Sequence, residues 1–525
     1  MTHTIKPPCD EGVIRSKKPS TPCRQNARAW VLAATILGSS MAFIDSTVVN
    51  VALPVLQTGL KATVADVQWV VEAYALFVAA LILVGGSLGD HFGRRRIFIL
   101  GVALFAIASA WCGLAPTIQQ LIIARGIQGI GGALLIPGSL AIIGASFTDA
   151  QRGAAIGLWS GFTAMTSAAG PILGGWLIEA LSWRWIFLIN LPLAAIVILI
   201  SLWRVPESRD AEALQLDWLG ALLAIIGLSG MIYGLLESAS MGFNLFVISA
   251  LTVGVVISGL FFWVEARLAS PMLPLALFRS RTFSGANLLT FLLYSALGGA
   301  LFFLPFNLIQ VQGYSTTGAG AALVPFPIIM FLLSRWSGGL VDRYGARQPL
   351  IIGTAIAAVG LGFMTRPGIG GSYWTTFFPA VVILGLGMAI CVAPLTTAVM
   401  NAVDGRYVGV ASGVNNAVSR IASLMAIAVF GLVMLNRFNH SLNQRLVPLQ
   451  LPSEAQQFLD TQRINLAAAS IPPGLRAEVA AALKAAIAAA FLDGFRWVMW
   501  LSAGLAIASA VTAALMIEQR EKISS

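Results

Sequence analysis

Ala42-Phe43-Ile44-Asp45-Ser46-Thr47-Val48-Val49-Asn50-Val51-Ala52-Leu53-Pro54 lies inside an apolar run that extends from about Trp30 to Leu56. A run of that length crosses a bilayer as a helix. Asp45 places a carboxylate in its middle, where a charged side chain costs about 2.5–3.5 kcal/mol on insertion scales. Chains keep such a group mainly where it faces a cavity and performs chemistry. Asp45 therefore marks a membrane-embedded site that handles a proton or a cation.

Composition agrees. The 525 residues are 58% hydrophobic and only 10% charged, against roughly 25% charged in a soluble domain. The chain reads as an all-α integral membrane protein with no soluble domain of its own. Its first apolar run is too long for a signal-peptide core and ends in no small-residue cleavage site, so it reads as an uncleaved span. The net charge of +10 does not point to nucleic acid, because the basic residues are scattered where an orientation signal puts them. Cys9, Cys23, Cys112 and Cys391 form no Cys-x-x-Cys pair, and His3, His91 and His440 are far apart, so no metal site is expected.

Apolar runs between polar or Gly/Pro breaks number about fourteen. An even number puts both termini on one side. If that side is cytoplasmic, the inside loops hold Arg94, Arg95, Arg96, Arg152, Arg343 and Arg347, while the short outside loops hold little beyond Lys61, Arg184 and Arg366. The asymmetry places both ends inside. The segment 437–490 is the exception, being outside and basic, but long loops cross regardless of charge. Within it, 477–490 reads as a helix running into the last span, after the break at Pro472-Pro473.

An internal repeat fixes the architecture. Gly86-Ser87-Leu88-Gly89-Asp90-His91-Phe92-Gly93-Arg94-Arg95 recurs as Gly338-Gly339-Leu340-Val341-Asp342-Arg343-Tyr344-Gly345-Ala346-Arg347. The copies follow spans 2 and 10, whereas two six-span halves would put the second after span 8. Two extra spans, at about 217–265, must separate the halves. The expected organisation is a cytoplasmic tail (1–28), a six-helix bundle (29–203), two extra helices with linkers (204–282), a second six-helix bundle (283–517) carrying the external loop 437–490, and a C-terminal tail (518–525). Parallel halves around a midplane site are a transporter architecture.

The string Asp45 to Pro54 resembles the major facilitator superfamily, and more closely its fourteen-span drug:proton antiporters of the EmrB/QacA type. The resemblance covers nearly the whole chain. The loop Asp90-His91-Phe92-Gly93-Arg94-Arg95-Arg96 is similar to the superfamily's signature between spans 2 and 3. There a carboxylate suits a helix N-terminus, Gly93 suits a tight turn, and the arginines hold an acidic group or a helix C-terminus when the inside gate shuts. Gly170, Pro171, Gly174 and Gly175 resemble the antiporter signature of span 5, although Thr166 stands where the family usually has glycine. The gating residues implied are Asp90, Gly93, Arg94, Arg95, Gly170, Pro171, Asp342 and Arg343. Plain positive-inside charge and ordinary Gly-rich packing are the alternatives. Trp183-Arg184-Trp185-Ile186-Phe187-Leu188-Ile189-Asn190-Leu191-Pro192 also matches the fourteen-span group and reads as structural, with interfacial tryptophans anchoring a span end.

Asp45, Arg125 and Glu72 are the proton-coupling candidates. Arg125, in Ala124-Arg125-Gly126-Ile127-Gln128-Gly129, resembles the family's Arg-plus-Gly pattern. Buried, it stays charged and needs an acceptor, with Asp45 the nearest candidate; a purely structural ion pair is the other reading. The acids read as lying in or near spans are Asp45, Glu72 and Glu237. Glu72 reads either as a proton-loading group or as a snorkelling interfacial acid, and Glu237 as a solvated end residue. Substrate contacts are expected from Asn50, Gln128, Phe302, Phe306, Gln310, Asn415 and Asn416, with interhelical hydrogen bonding as their alternative.

The resemblance implies a proton-coupled multidrug efflux transporter of the cell inner membrane. It would export amphiphilic, cationic or neutral lipophilic compounds by alternating access. Protons and the lipid bilayer are its other partners, and some relatives dock onto a periplasmic adaptor protein. No cofactor is expected, since the gradient supplies the energy and no Gly-x-x-x-x-Gly-Lys-Ser/Thr loop occurs. A dedicated exporter or importer of one natural metabolite, a lipid or siderophore, and a non-transporting membrane sensor are the competing readings. An enzyme would need a cluster of His, Cys, Ser or acids at one membrane face, and the sequence shows none.

Overall fold

The computed structural model describes residues 25–147, 149–209, 217–268, 271, 273–403 and 408–518. The tails with Cys9 and Cys23, and residues 519–525, lie outside the described set. The first half comprises α1 (Gln25–Gly59), α2 (Val64–Phe92), α3 (Arg94–Leu114), α4 (Ile118–Ser146), α5 (Asp149–Ala180) and, after the single turn Trp185–Leu188, α6 (Asn190–Arg204). The hairpin α7 (Trp218–Met241) and α8 (Leu245–Glu265) follows. The second half comprises α9 (Arg281–Phe306), the broken rod α10 (Thr316–Leu323) and α11 (Pro325–Tyr344), α12 (Arg347–Phe363), α13 (Phe377–Asn401), α14 (Val408–Leu446) and α16 (Ala477–Met516). The short helix α15 (Ser453–Gln462) lies between the last two. The described residues contain no strand. Twelve helices among them are long and apolar enough to cross a membrane. α12, an apolar helix of 17 residues, and α5 run between these twelve.

Helix starts are set by local chemistry. Thr63 and Asp66 form a capping box at α2, the Thr63 hydroxyl accepting from the Asp66 N–H at 3.1 Å and the Asp66 carboxylate accepting from the Thr63 N–H at 2.8 Å. Asp217, Asn244 and Ser315 cap α7, α8 and α10 in the same manner.

Within the first half α4 packs against α2 and α3, and α1 packs against α5 and α6. Within the second half α9 packs against α14 and α16, and α12 against α13 and α16. The hairpin helix α7 lies at the seam between the halves and touches both α2 and α14. There Leu76 and Ala79 of α2, Ile232 and Leu236 of α7, and Leu424 and Ala428 of α14 form one buried cluster.

The halves also meet directly, at the end where α1 finishes and α2 starts. Gln310 donates to Gln57 at 2.9 Å, Gln57 to the Asn465 carbonyl at 3.1 Å, and Gln68 to the Ile427 carbonyl at 3.0 Å. α5 and α10 touch backbone to backbone: a Cβ on Gly320 would sit 2.1 Å from the Pro171 carbonyl oxygen, and one on Gly175 2.5 Å from the Thr317 Cα. Glu179, in the last turn of α5, accepts from the Thr317 N–H at 2.8 Å and its hydroxyl at 2.6 Å, anchoring the N-terminus of α10. Glu179 is an acid inside the fifth apolar run, which the sequence reading did not count among those in or near spans.

Candidate functional site

The centre of the first half holds a closed charged network. Asp45 on α1 and Arg125 on α4 are each about 1% exposed, and the Arg125 Nη1 donates to Asp45 Oδ2 at 2.5 Å. Gln128, one turn along α4, donates its amide to Asp45 Oδ1 at 2.9 Å and accepts from Arg125 Nη1 at 2.8 Å. The Arg125 Nε donates to the Val70 carbonyl of α2 at 3.0 Å, and its guanidinium stacks 4.4 Å from the centre of the Tyr74 ring. Three helices thus hold one ion pair, which low dielectric strengthens. Removing one partner of such a pair costs about 3–5 kcal/mol, because the other is left buried and unmatched.

The small residues of α4 make this possible. A Cβ on Gly129 would lie 2.4 Å from the Tyr74 carbonyl oxygen, so glycine there lets α2 approach closely enough for Arg125 to reach Val70. Thr166, where the family pattern has glycine, donates to the Ser40 hydroxyl of α1 at 3.2 Å. A Cβ on Gly170 would meet the Thr47 Oγ1 at 2.1 Å. α5 therefore lies tightly along the Asp45 helix. Trp183 to Pro192 is tied into the core, with Asn190 donating to Ser109 at 3.0 Å and Ser109 to the Phe187 carbonyl at 2.8 Å.

Glu72 is fully buried on α2, and neither carboxylate oxygen has a hydrogen-bond partner among the described residues. The snorkelling reading is therefore overturned: nine residues into α2, its side chain points among packed helices rather than toward an interface.

The α2–α3 loop is latched by an acid that sequence reasoning missed. Gly93 turns at φ +108°, and a Cβ there would strike the Glu207 carboxyl at 2.7 Å. Glu207 accepts from the Arg95 N–H at 3.0 Å and lies 3.6 Å from the Arg96 Nε. Arg94 pairs with Asp90 at 2.8 Å, and the Arg95 guanidinium donates to the Val205 carbonyl at 3.1 Å. The sequence asked for an acidic partner for these arginines, but only the fold shows that it follows α6. In the second copy Gly345 turns at φ +72°, Arg343 is exposed, and the side chain of Asp342 lies outside the described set. The Arg347 guanidinium donates to the Ala514 carbonyl of α16.

The expected substrate contacts are not brought together. Gln128 belongs to the Asp45 network. Asn50, part-buried on α1, joins no described hydrogen bond. Phe302 and Phe306 do not wall a cavity in this structure; they are 2% and 1% exposed and stack on each other at 5.6 Å in the core. Gln310 ties to Gln57 at the closed end. Asn415 and Asn416 do line a cavity of about 190 Å³, with Tyr294 of α9, Thr396 of α13, and Ser412 and Ser419 of α14. Asn415 donates to Thr290 at 2.7 Å and to Asn287 at 3.2 Å. Among the described residues no group of His, Cys, Asp and Glu is arranged to hold a metal ion.

Twelve span-length apolar helices among the described residues, packed around a buried carboxylate–guanidinium pair, fit a membrane transporter. Residues 35–427 match the Major Facilitator Superfamily, and the chain belongs to that family. It is similar to the multidrug resistance protein Stp of Mycobacterium tuberculosis (strain CDC 1551 / Oshkosh), 34% identical over 89% of this chain and 91% of that protein. It is also similar to the tetracenomycin C resistance and export protein of Streptomyces glaucescens, 30% identical over 93% and 91%. Among solved structures, an inward-facing, unoccupied bacterial homologue of the human lysosomal transporter Spinster shares the fold. Its TM-score is 0.65 at 19% identity, covering 94% of this chain and 98% of that one.

Proposed function

We propose that this protein is a proton-coupled exporter of amphiphilic small molecules. Asp45 is the group that binds and releases the coupling proton. The observation that carries this reading is the buried Asp45–Arg125–Gln128 network. Protonating Asp45 removes the charge that Arg125 answers, and so loosens the contact among α1, α2 and α4. Losing the proton restores it. A switch of that size, about 3–5 kcal/mol, is large enough to shift a two-state equilibrium substantially. Glu72, buried without a partner, is the second candidate proton carrier.

The export direction and drug-like substrates come from the relatives, named for multidrug resistance and for antibiotic resistance and export. Fourteen spans follow if α5 and α12 join the twelve helices that meet the length and apolarity of a span. Both termini are then cytoplasmic, the membrane is the inner one, and the end joined by Gln57–Gln310 and Glu179–Thr317 is the outer end. The conformation is thus one closed to the outside.

The test uses everted membrane vesicles with an acidified lumen followed by a pH-sensitive dye. Adding lipophilic compounds is expected to release protons from vesicles carrying the native chain and not from those carrying Asp45→Asn. Equal release from the two would remove Asp45 from the coupling step.

A further inference from the structure

Arg420 lies on α14, one turn beyond Asn416, and is part-buried. Among the described residues its guanidinium donates no hydrogen bond and forms no ion pair, although it is electrostatically coupled to Tyr74 across the seam between the halves. The register of that seam is fixed on one side by Gln68, packed on Gly431 and bonded to the Ile427 carbonyl, and on the other by Leu76 against Leu424. Tyr74 thus stacks on one guanidinium, that of Arg125, and lies within electrostatic reach of a second, that of Arg420. Arg125 is neutralised by Asp45; Arg420 has no counter-charge among the described residues.

The cavity that Asn416, one turn before Arg420, and Ser419, next to it in sequence, help to line supplies none among the described residues: its lining includes Asn415, Asn416, Ser419 and Thr396 but no acid. Arginine stays charged in proteins and presents a rigid fork of donors matched to two oxygens of one group. Left unmatched within a membrane-spanning helix it is costly, and it repels cations that enter the same space.

We infer that Arg420 is the substrate-selecting residue, and that the transported amphiphiles carry an anionic oxygen head of the carboxylate type. The head docks on Arg420 beside the polar face of α14, and the apolar body lies along the cavity toward Val399 and Leu395. This rests on the export reading for the identity of the site, and it turns the expected preference from cations to anions.

Binding is measured without transport, on the purified full chain in lipid nanodiscs. The probes are three dansyl amphiphiles of equal chain length, ending in a carboxylate, its methyl ester or a trimethylammonium group. The native chain is expected to bind the carboxylate best and the ammonium worst. Arg420→Gln is expected to weaken the carboxylate by on the order of ten- to a hundredfold, the loss of one charged hydrogen-bonded contact, and to leave the ester unchanged. Arg420→Lys is expected to recover part of that loss, and Arg420→Glu to invert the order of carboxylate and ammonium. Equal loss of carboxylate and ester in Arg420→Gln would show a structural role and overturn the inference. A native chain that binds the carboxylate no better than the ester, or not at all, would also overturn it. Proton release is read separately in vesicles. Charge selectivity without proton release would sink the antiport reading alone, and proton release without charge selectivity would sink this one alone.

Discussion

The two halves bury different chemistry. In the first, Asp45, Arg125 and Gln128 form a closed network in which each charge has its partner within hydrogen-bond distance. In the second, Asn287, Thr290 and Asn415 form an uncharged network beside a cavity, and Arg420 has no counter-ion among the described residues. A matched pair is sensitive to gain of a proton, since one proton unmatches it. An amide network is not. On the function proposed above, proton handling falls to the first half and substrate contact to the second.

The strongest way to break that division is to exchange the readouts. Asp45→Asn is expected to reduce substrate-triggered proton release to the level of vesicles without the protein. Asn415→Ala is expected to keep proton release while lowering apparent substrate affinity a few-fold, as one or two neutral hydrogen bonds of about 1 kcal/mol each are lost. Proton release abolished by Asn415→Ala would show that the halves do not divide the work. Arg125→Met comes next. It leaves Asp45 buried and unmatched, and is expected to destabilise the protein by about 3–5 kcal/mol, seen as a lower melting temperature in detergent. The double variant Arg125→Met with Asp45→Asn should recover part of that loss, because no lone charge remains.

A smaller effect is expected where the halves touch. Gly320→Ala sets a methyl 2.1 Å from the Pro171 carbonyl oxygen, and such overpacking costs about 1–3 kcal/mol. The end joined by Gln57 and Gln310 should open more often, read as faster labelling of a cysteine placed at Gln310. Labelling unchanged from that of Gln310→Cys alone would mean that α5 and α10 separate at no cost, and that the contact is not a gate.

Much of this was legible in the chain. Asp45 and Arg125 announced each other because an embedded charge needs an acceptor. What stayed hidden depends on segments far apart in sequence. Glu207 lies 112 positions from Arg95, and nothing local marks it as that arginine's partner. Phe302 and Phe306 look like cavity walls in a list of aromatics, yet helix rotation turns them into the core. Glu72 looked interfacial because α2 starts only eight residues before it, but the packing of α7 and α14 against α2 covers that end.

The two copies of the repeat give the finest comparison. Arg95 and Arg347 occupy matching positions, and each donates to a backbone carbonyl at the end of its half's last helix, Val205 after α6 and Ala514 in α16. Cations at helix C-termini are favourable, so the shared element is a clasp between the loop and the last helix of each bundle. Among the described residues the first copy adds a carboxylate that the second lacks: Glu207 accepts from the Arg95 N–H, at the N-terminus of α3, whereas α12 begins at Arg347 with no side-chain cap. A carboxylate at a partly buried helix N-terminus contributes up to about 2 kcal/mol. Glu207→Gln keeps an acceptor but removes the charge, so a loss of about 1 kcal/mol is expected, with transport lowered a few-fold and folded yield intact. Arg347→Ala removes the clasp alone and should cost about the same. If the first loop's extra acid sets which half moves, Glu207→Gln will change transport rate more than Arg347→Ala at equal loss of stability. Equal rates at equal stability would reduce Glu207 to a helix cap.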